Sequence, residues 1–486
     1  MLALNDTDEK TLRFLDEDEF KYLKFDWYSH DDRLKAIAHR LAEQWKDEKT
    51  PSRRSKRPME QAFNIVLTAL EVSGIYVREQ IRIPIYNAIY CGEIQRSPTH
   101  TSEVYDALLW LKDSDYLLKT DGRRIVQSNG GGNIELPFAY TIGEKWHSAI
   151  GVAPLSSVHL ITRNHLSPYV QVRTKIWKNK KKKAIKANYK PTQTQLADNK
   201  ELIDSSNRIL QGYDKLMLKT VVKLGDKPIF PQQTTYTRVF NNAGFEDGGR
   251  FYCALQGIKS QQRLDLSFNN EPVVEIDYTG MHPTMLYELE GLIPHPAPYD
   301  VEGFERGDVK VAFNILINRD KKKHTNPEAQ SIQSNLGITH SQAQQLRDNL
   351  YEMHQPIAHR FNEGFGLKLQ KIDSDIALRV MDLFVNTLKR PILMVHDSAL
   401  VSVRDAETLL LCMRDDYWDA IDQLSTGTST RVFNADDGCY EGVSGFFSSG
   451  NGVKIQHKQR SRKLTALLER SLAGEDIPAS SWDLLL

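Results

Sequence analysis

The sequence lacks any stretch of about 18 uninterrupted apolar residues, so no membrane-spanning helix is expected. Its first residues are too polar and too acidic to match a secretory signal peptide. The four cysteines include no Cys-x-x-Cys pair, which argues against a zinc knuckle and against a disulfide framework. Such cysteine usage is typical of proteins in the reducing cytoplasm, where we expect this protein to be.

An excess of charge of one sign is also missing. The 63 Lys and Arg residues balance 63 Asp and Glu residues, so any surface for nucleic acid must come from local patches. Hydrophobic residues make up 40% and charged residues 26% of the chain, which is ordinary for a globular protein. A chain of 486 residues is expected to form roughly two to four domains.

The first part of the chain with regular patterning begins after residue 57. Apolar residues recur at three- and four-residue spacing from Ala62 onward, which predicts an amphipathic helix. A second helix is expected after Thr101, and residues 116–125 predict two strands around an Asp-Gly turn. Helices followed by a hairpin resemble a winged-helix module over residues 58–128. A small helical packing or protein-contact domain is the alternative.

A dense basic run follows a glycine-rich segment at 129–133, which we interpret as a flexible joint. Residues 171–190 hold nine Lys and Arg residues and no acidic residue. Charge this concentrated in a neutral chain predicts contact with a polyanion; a solvated loop or a localisation-like tract is the alternative. The predicted nucleic-acid contacts in this run are Arg173, Lys175, Lys178, Lys180, Lys181, Lys182 and Lys183.

Two aspartates stand in apolar surroundings that predict strands. Asp277 ends the apolar segment 273–276 and precedes a predicted helix. Asp397 follows His396 inside the apolar segment 391–403, which predicts a β-hairpin with the polar pair at its bend. Aspartates on adjacent strands can hold two divalent cations about 4 Å apart, the arrangement used for nucleotidyl transfer. Mg²⁺ suits such a site because it binds few carboxylates and keeps positions for water and phosphate oxygens; Mn²⁺ is the alternative ion.

Two further segments carry cationic groups near these aspartates in the sequence. Arg306 and Lys310 are four residues apart in a predicted helix and therefore share one face. Such a face can grip a triphosphate, and the lysine can protonate the departing pyrophosphate; an ordinary basic helix face is the alternative. The segment 248–258, with Arg250 and Gln256, offers guanidinium and amide donors, or is a loop with ordinary surface charges.

The order of these motifs resembles the palm and fingers of family A DNA polymerases, whose palm is shared by single-subunit phage-type RNA polymerases. The resemblance covers about residues 230–405. It implies an α+β right-hand polymerase with an antiparallel-sheet palm, reduced fingers and a helical thumb, plus the N-terminal winged-helix-like α/β module. It also implies two Mg²⁺ ions, nucleoside triphosphates and a DNA primer–template as partners, with RNA as the alternative template or primer.

The resemblance implies a role for individual residues. Asp277 and Asp397 would bind the two metal ions, and Lys310 would act in catalysis. The residues implied to contact the incoming nucleotide are Arg306, Lys310, Tyr278, His282 and Arg263. Those implied to contact the primer–template are Arg250, Gln256 and His396.

Departures from the family pattern bear on which nucleotide is used. His282 stands where family A has a glutamate that helps to exclude ribonucleotides, and Ser398 follows Asp397 as in phage-type RNA polymerases. The segment from Asp277 to Pro283 is also similar to family B polymerases. The stacking tyrosine of the fingers helix is replaced, and we identify no Asp-x-Glu exonuclease motif in the N-terminal half. A primer-extending DNA polymerase without proofreading is therefore the leading hypothesis.

Two alternatives remain open at this point. An RNA polymerase or primer-synthesising enzyme fits the residues at 282 and 398. A non-catalytic winged-helix replication initiator fits the N-terminal patterning and the basic run. The predicted segments are an N-terminal extension and linker (1–57), a winged-helix-like domain (58–128), a basic thumb-like region (134–228), a palm and fingers domain (229–450) and a C-terminal tail (451–486).

Overall fold

A computed structural model gives the fold as a mixture of helices and mainly antiparallel sheets, so the predicted α+β class is confirmed. It describes residues 27–48, 58–72, 81–82, 102–121, 124–127, 133–136, 139–151, 161–163, 167–178, 183–229, 231–278, 280–320, 327–424, 432–434, 439–441 and 453–457.

The strands are β1 (Trp27–Ser29), β2 (Ile81–Arg82), β3 (Leu117–Asp121), β4 (Arg124–Gln127), β5 (Asn133–Leu136), β6 (Ala139–Ile142), β7 (Ile161–Arg163), β8 (Val170–Lys178), β9 (Lys183–Tyr189), β10 (Val222–Leu224), β11 (Lys227–Ile229), β12 (Thr237–Phe240), β13 (Gly248–Tyr252), β14 (Leu266–Phe268), β15 (Glu271–Tyr278), β16 (Ile392–Val395), β17 (Ser398–Ser402), β18 (Val432–Asn434), β19 (Cys439–Glu441) and β20 (Val453–His457).

The α-helices are α1 (Asp32–Glu48), α2 (Met59–Val72), α3 (Ser102–Asp113), α4 (Glu144–Ala149), α5 (Gln193–Asp198), α6 (Lys200–Met217), α7 (Pro231–Thr234), α8 (Ser260–Arg263), α9 (Met281–Leu289), α10 (Arg306–Asn318), α11 (Glu328–Leu336), α12 (His340–Met353), α13 (Gly366–Asp382) and α14 (Ala406–Leu424). No helix within the described ranges is long and apolar enough to cross a membrane.

The first compact unit comprises residues 1–169, 207–237 and 252–270. Its core is built by α1, α2 and α3, and the rings of Phe63 and Trp110 meet edge to face at 5.5 Å. The two helices predicted from Ala62 and after Thr101 are confirmed as α2 and α3, although Thr101 itself lies outside the described residues.

The strands that follow α3 pair differently from the predicted hairpin. We expected β3 and β4 to pair across an Asp-Gly turn, but β3 pairs with β6 and β4 pairs with β5. The chain therefore continues from β3 into β4 and returns through β5 into β6. Of the segment predicted as a joint, 129–133, only Asn133 is described, as the first residue of β5, and the rest lies outside the described residues.

An antiparallel hairpin follows helix α6 in the same unit. α6 ends at Met217 and β10 begins at Val222. Leu224 pairs with Lys227, so Gly225 and Asp226 form a two-residue turn, and Gly225 has a φ of 57°. Glycine adopts this left-handed conformation without steric cost, which fixes the hairpin at this position.

The second compact unit comprises residues 170–206, 238–251 and 271–486. One of its sheets has the order β13-β12-β8-β9, in which β8 and β9 are the basic run folded as an antiparallel hairpin. In a second sheet, β17 lies between β16 and β15, and β20 pairs with the second edge of β15. The same unit contains the helices α12 and α13.

The C-terminal segment was predicted as a partly ordered tail. Val453–His457 forms β20, antiparallel to β15, with Lys454 opposite Asp277 in the register. The remainder of the predicted basic tail at 458–463 lies outside the described residues. A strand of the aspartate-bearing sheet thus comes from a part of the chain that the sequence did not predict to be a strand.

Candidate nucleotidyl-transfer site

Asp277 and Asp397 lie at the same end of two paired strands. Asp277 is opposite Ser398 in the β15–β17 register, and the Tyr278 amide N–H donates to the Asp397 carbonyl at 3.3 Å. Both aspartate side chains are half-buried. The apolar residues that precede them explain this position, because Val273, Val274 and Ile276 are fully buried and anchor β15 in the core. Asp277 therefore stands on β15 as predicted, whereas Asp397 lies in the hairpin loop immediately before the neighbouring strand β17.

The turn between β16 and β17 presents His396 and Asp397 together. Val395 pairs with Ser398, so these two residues form the whole loop of the hairpin. His396 has a φ of 60°, a left-handed conformation in which histidine is several-fold enriched over most residues. A positive φ at the first loop position suits the twist of a tight hairpin. The predicted hairpin and the predicted place of its polar pair are confirmed.

A buried carboxylate that the sequence analysis missed lies beside the two aspartates. Glu275 is 1% exposed and stands two residues before Asp277, on the same face of β15. The Ser398 hydroxyl donates to Glu275 Oε1 at 2.8 Å. Glu275 and Asp277 therefore share one face of β15, and a positive charge would stabilise two such carboxylates.

Helix α10 contributes Arg306 at the position predicted for a phosphate-binding cation. The Arg306 guanidinium lies 5.3 Å from the centroid of the Tyr299 ring, which is 3% exposed. Burial and the charge of Asp397 raise the pKa of Tyr299, whereas Arg306 opposes that rise. Both charged groups therefore act on one buried ring. Lys310 follows one turn later on the same helix with an exposed side chain.

Asp373 of α13 joins two of the predicted site residues. Arg250 Nε contacts both carboxylate oxygens of Asp373, at 3.2 and 3.1 Å, and Arg250 Nη2 forms an ion pair with Oδ2. His282 Nε2 lies 3.0 Å from Asp373 Oδ2. Burial would raise the pKa of Asp373, but the hydrogen bond from His282 and the charge of Arg250 outweigh it and lower that pKa. Asp373 was not among the predicted site residues.

Three other predicted residues make contacts within their own surroundings. The Tyr278 ring is buried, and its hydroxyl donates to the Met413 carbonyl in α14. Gln256 and Arg263 belong to the first compact unit. Gln256 Oε1 accepts a hydrogen bond from the Cys253 amide N–H at 3.3 Å, and Arg263 Nη1 donates one to the Ile258 carbonyl at 2.9 Å. These contacts stabilise local turns, and the predicted contacts to nucleotide or primer–template stay predictions.

The β8–β9 register places lysines of the basic run at opposed positions. Lys175 pairs with Lys186 and Lys178 pairs with Lys183 across the β8–β9 hairpin. Directly opposed like charges destabilise a strand pair, so an anionic partner would stabilise this one. Arg173 lies on the same strand, half-buried. Lys180, Lys181 and Lys182 lie outside the described residues.

Comparisons with known proteins give no relative from which the role of this site could be inferred. No protein-family model matches the chain, and no curated protein matches it either. Among the described residues, no group of three or more His, Cys, Asp or Glu side chains has the arrangement of a metal site. The candidate metal ligands stay the two predicted from the sequence, Asp277 and Asp397.

Proposed function

We propose that this protein is a template-directed nucleotidyltransferase that extends a primer, most simply a DNA polymerase without a proofreading exonuclease. The observation that carries the proposal is the placement of Asp277 and Asp397 at the same end of paired strands β15 and β17. Arg306 and Asp397 both act on the buried Tyr299 ring, which adds a cation for the nucleotide's phosphates near the acidic pair.

The donor set fits Mg²⁺. Asp277 and Asp397 offer hard carboxylate oxygens on half-buried side chains, and Mg²⁺ commonly uses one or two carboxylates together with water and substrate phosphates. Bound there, two such ions would activate a 3′-hydroxyl and stabilise a leaving pyrophosphate. Ser398 has no carboxylate to offer a metal ion, but its hydroxyl donates a hydrogen bond to the Glu275 carboxylate.

The remaining residues have roles in binding and proton transfer. Arg306 and the exposed Lys310 lie on one face of α10 and would hold the triphosphate, with Lys310 as the proton donor to pyrophosphate. His396 is adjacent to Asp397 and would lie near the primer terminus. The β8–β9 hairpin would hold the nucleic-acid backbone, because its opposed lysines favour a polyanion.

Ribonucleotide use is the second candidate, and the arrangement around His282 favours it. A histidine held by Asp373 occupies the position where the family A glutamate is expected, so a ribose hydroxyl would meet an imidazole in place of a carboxylate. An RNA polymerase or primer-synthesising enzyme would share the metal site and differ in sugar and primer requirement.

A primer-extension assay with Mg²⁺ tests the proposal. Wild-type protein should incorporate nucleotides on a primed template, whereas Asp277→Asn and Asp397→Asn should each lose roughly 100-fold or more of the rate. Asp226→Asn, in the exposed β10–β11 turn, is the matched control and should keep wild-type activity.

Different outcomes separate the candidate functions. Incorporation of ribonucleotides, with or without a primer, would identify the second candidate. Normal extension by both metal-site variants would refute the assignment of the metal ligands. Sequence-specific duplex binding without any incorporation would instead favour a replication initiator.

A further inference from the structure

The buried carboxylate Asp373 connects three separate elements of the second compact unit. It lies on α13, its side chain is 1% exposed, and it binds Arg250 from β13 and His282 from α9. Burying a charge is costly unless the charge is paired and hydrogen-bonded. The two bonds from Arg250 Nε and the contact with His282 Nε2 meet that requirement.

The protonation of His282 follows from this pairing. An ionised carboxylate only accepts hydrogen bonds, so His282 Nε2 carries the proton that it donates to Asp373. Arg250 Nη2 lies 3.3 Å from His282 Nε2, and the two do not bond to each other. Both donate to the same acceptor, Asp373 Oδ2. Nδ1 remains as the other polar atom of the ring, and its position is fixed by the bond at Nε2.

The backbone before Arg250 is built for this contact. Gly249 has a φ of 79°, and a Cβ at that position would lie 2.8 Å from the Ser374 hydroxyl oxygen and 2.9 Å from Phe240. Glycine therefore allows β13 to lie directly against α13, which brings Arg250 to Asp373. The Gly-Gly-Arg sequence is thus explained by packing against α13.

We propose that Asp373 is a positioning residue that holds Arg250 and His282 as one nucleotide-binding pair. The carboxylate is hidden, whereas the Arg250 and His282 side chains are 17% and 13% exposed. The guanidinium and the imidazole therefore reach solvent, and the Asp373 carboxylate does not. An edge of guanidinium and imidazole suits the sugar and phosphate oxygens of a nucleoside triphosphate. The inference rests on the proposed function for the identity of that ligand.

Helix α13 offers a matched control two residues further on. Asp375 also binds an arginine, Arg238, together with Lys371. Arg238 is fully buried, and its other bonds go to Ser206, Ser374 and the Gly249 carbonyl. In the Asp375 pair the arginine is hidden and the carboxylate is the exposed partner, at 36%, whereas in the Asp373 pair the carboxylate is hidden and the arginine is exposed.

The test measures nucleotide affinity and catalysis separately. The Kd of a fluorescently labelled nucleoside triphosphate with Mg²⁺, and KM and kcat in primer extension, are determined for Asp373→Asn, Arg250→Met, the double variant and Asp375→Asn. Asp373→Asn should raise Kd and KM about 10-fold and change kcat little, because binding is lost equally in the ground and transition states. Added to Arg250→Met, it should raise Kd by less than it does alone, because only the contact with His282 is then left to lose.

Other results would overturn the inference. A purely structural role predicts a lower melting temperature with unchanged Kd and KM for both Asp373→Asn and Asp375→Asn. Fully additive effects on Kd in the double variant would show that Asp373 does not act through Arg250. Should Asp373→Asn fail to fold, His282→Ala keeps the Asp373–Arg250 pair and must still raise Kd. Wild-type protein that binds nucleotide without incorporating it would refute the proposed function alone, whereas no nucleotide binding would refute both.

Discussion

Acid should weaken the packing around His354, which is fully buried at the end of α12. Its Nε2 lies 3.0 Å from the Pro298 carbonyl and must donate to it, so Nδ1 accepts from the Tyr287 hydroxyl at 3.1 Å. Protonation would place a second N–H at Nδ1 and leave a charge among the rings of Phe313 and Phe361. The neutral ring is therefore the form that fits this site.

The size of the effect follows from the pKa of His354. Burial lowers that pKa from 6.5 to about 4, although the bond to Pro298 opposes the change. The unfolded chain then binds more protons than the folded one between these pH values, so stability is full above about pH 6.5 and falls as the pH approaches 4. At about 1.4 kcal/mol per pH unit, the loss amounts to roughly 3 kcal/mol.

His354→Gln separates this group from the other 13 histidines. Glutamine can donate to the Pro298 carbonyl and accept from Tyr287, but it does not titrate. Urea unfolding followed by tryptophan fluorescence at pH 7.0 and 4.5 should show that the wild type loses about 2–3 kcal/mol more than the variant. Equal losses in the two proteins would refute the reasoning.

Two further predictions concern charged residues of the candidate site. Arg306→Ala should raise KM for the nucleotide about 10-fold and leave the affinity for primer–template unchanged. Arg306→Lys should recover only part of the loss, because lysine lacks the planar group that stacks on Tyr299. An unchanged KM in both variants would contradict this prediction. Replacing Lys175 and Lys178 by alanine should lower the slope of log affinity for DNA against log salt by about 1 per residue, measured by fluorescence anisotropy, and an unchanged slope would place the nucleic acid elsewhere.

Local patterns in the sequence were enough to place the two aspartates. Asp277 follows three buried apolar residues, and Asp397 interrupts an apolar run whose flanks are buried as β16 and β17. An apolar run broken by a polar pair has few structures other than a tight hairpin, and this hairpin was predicted correctly. Helix α10 was predicted equally well, because its periodicity is local.

Strand pairing between distant parts of the chain was harder to predict. β8 carries the alternation of a strand, because Val170, Val172 and Ile176 are separated by polar and charged residues. The run was interpreted by its charge, as a contact with a polyanion, and the hairpin was not predicted. The partner of β15 at Val453–His457 is almost two hundred residues away, and no local pattern connects them. Register between strands depends on contacts that a window of ten residues does not contain.

Asp373 shows which signal in the sequence could have identified the missing site residue. Leu369, Asp373, Ile376 and Val380 recur at helical spacing and are all buried, so one acid occupies a position on the apolar face of α13. Such an acid must find a cation or a donor, because an unpaired buried carboxylate is too costly to keep. The sequence thus indicated that a partner existed. It could not indicate which partner, since Arg250 and His282 lie 123 and 91 residues away.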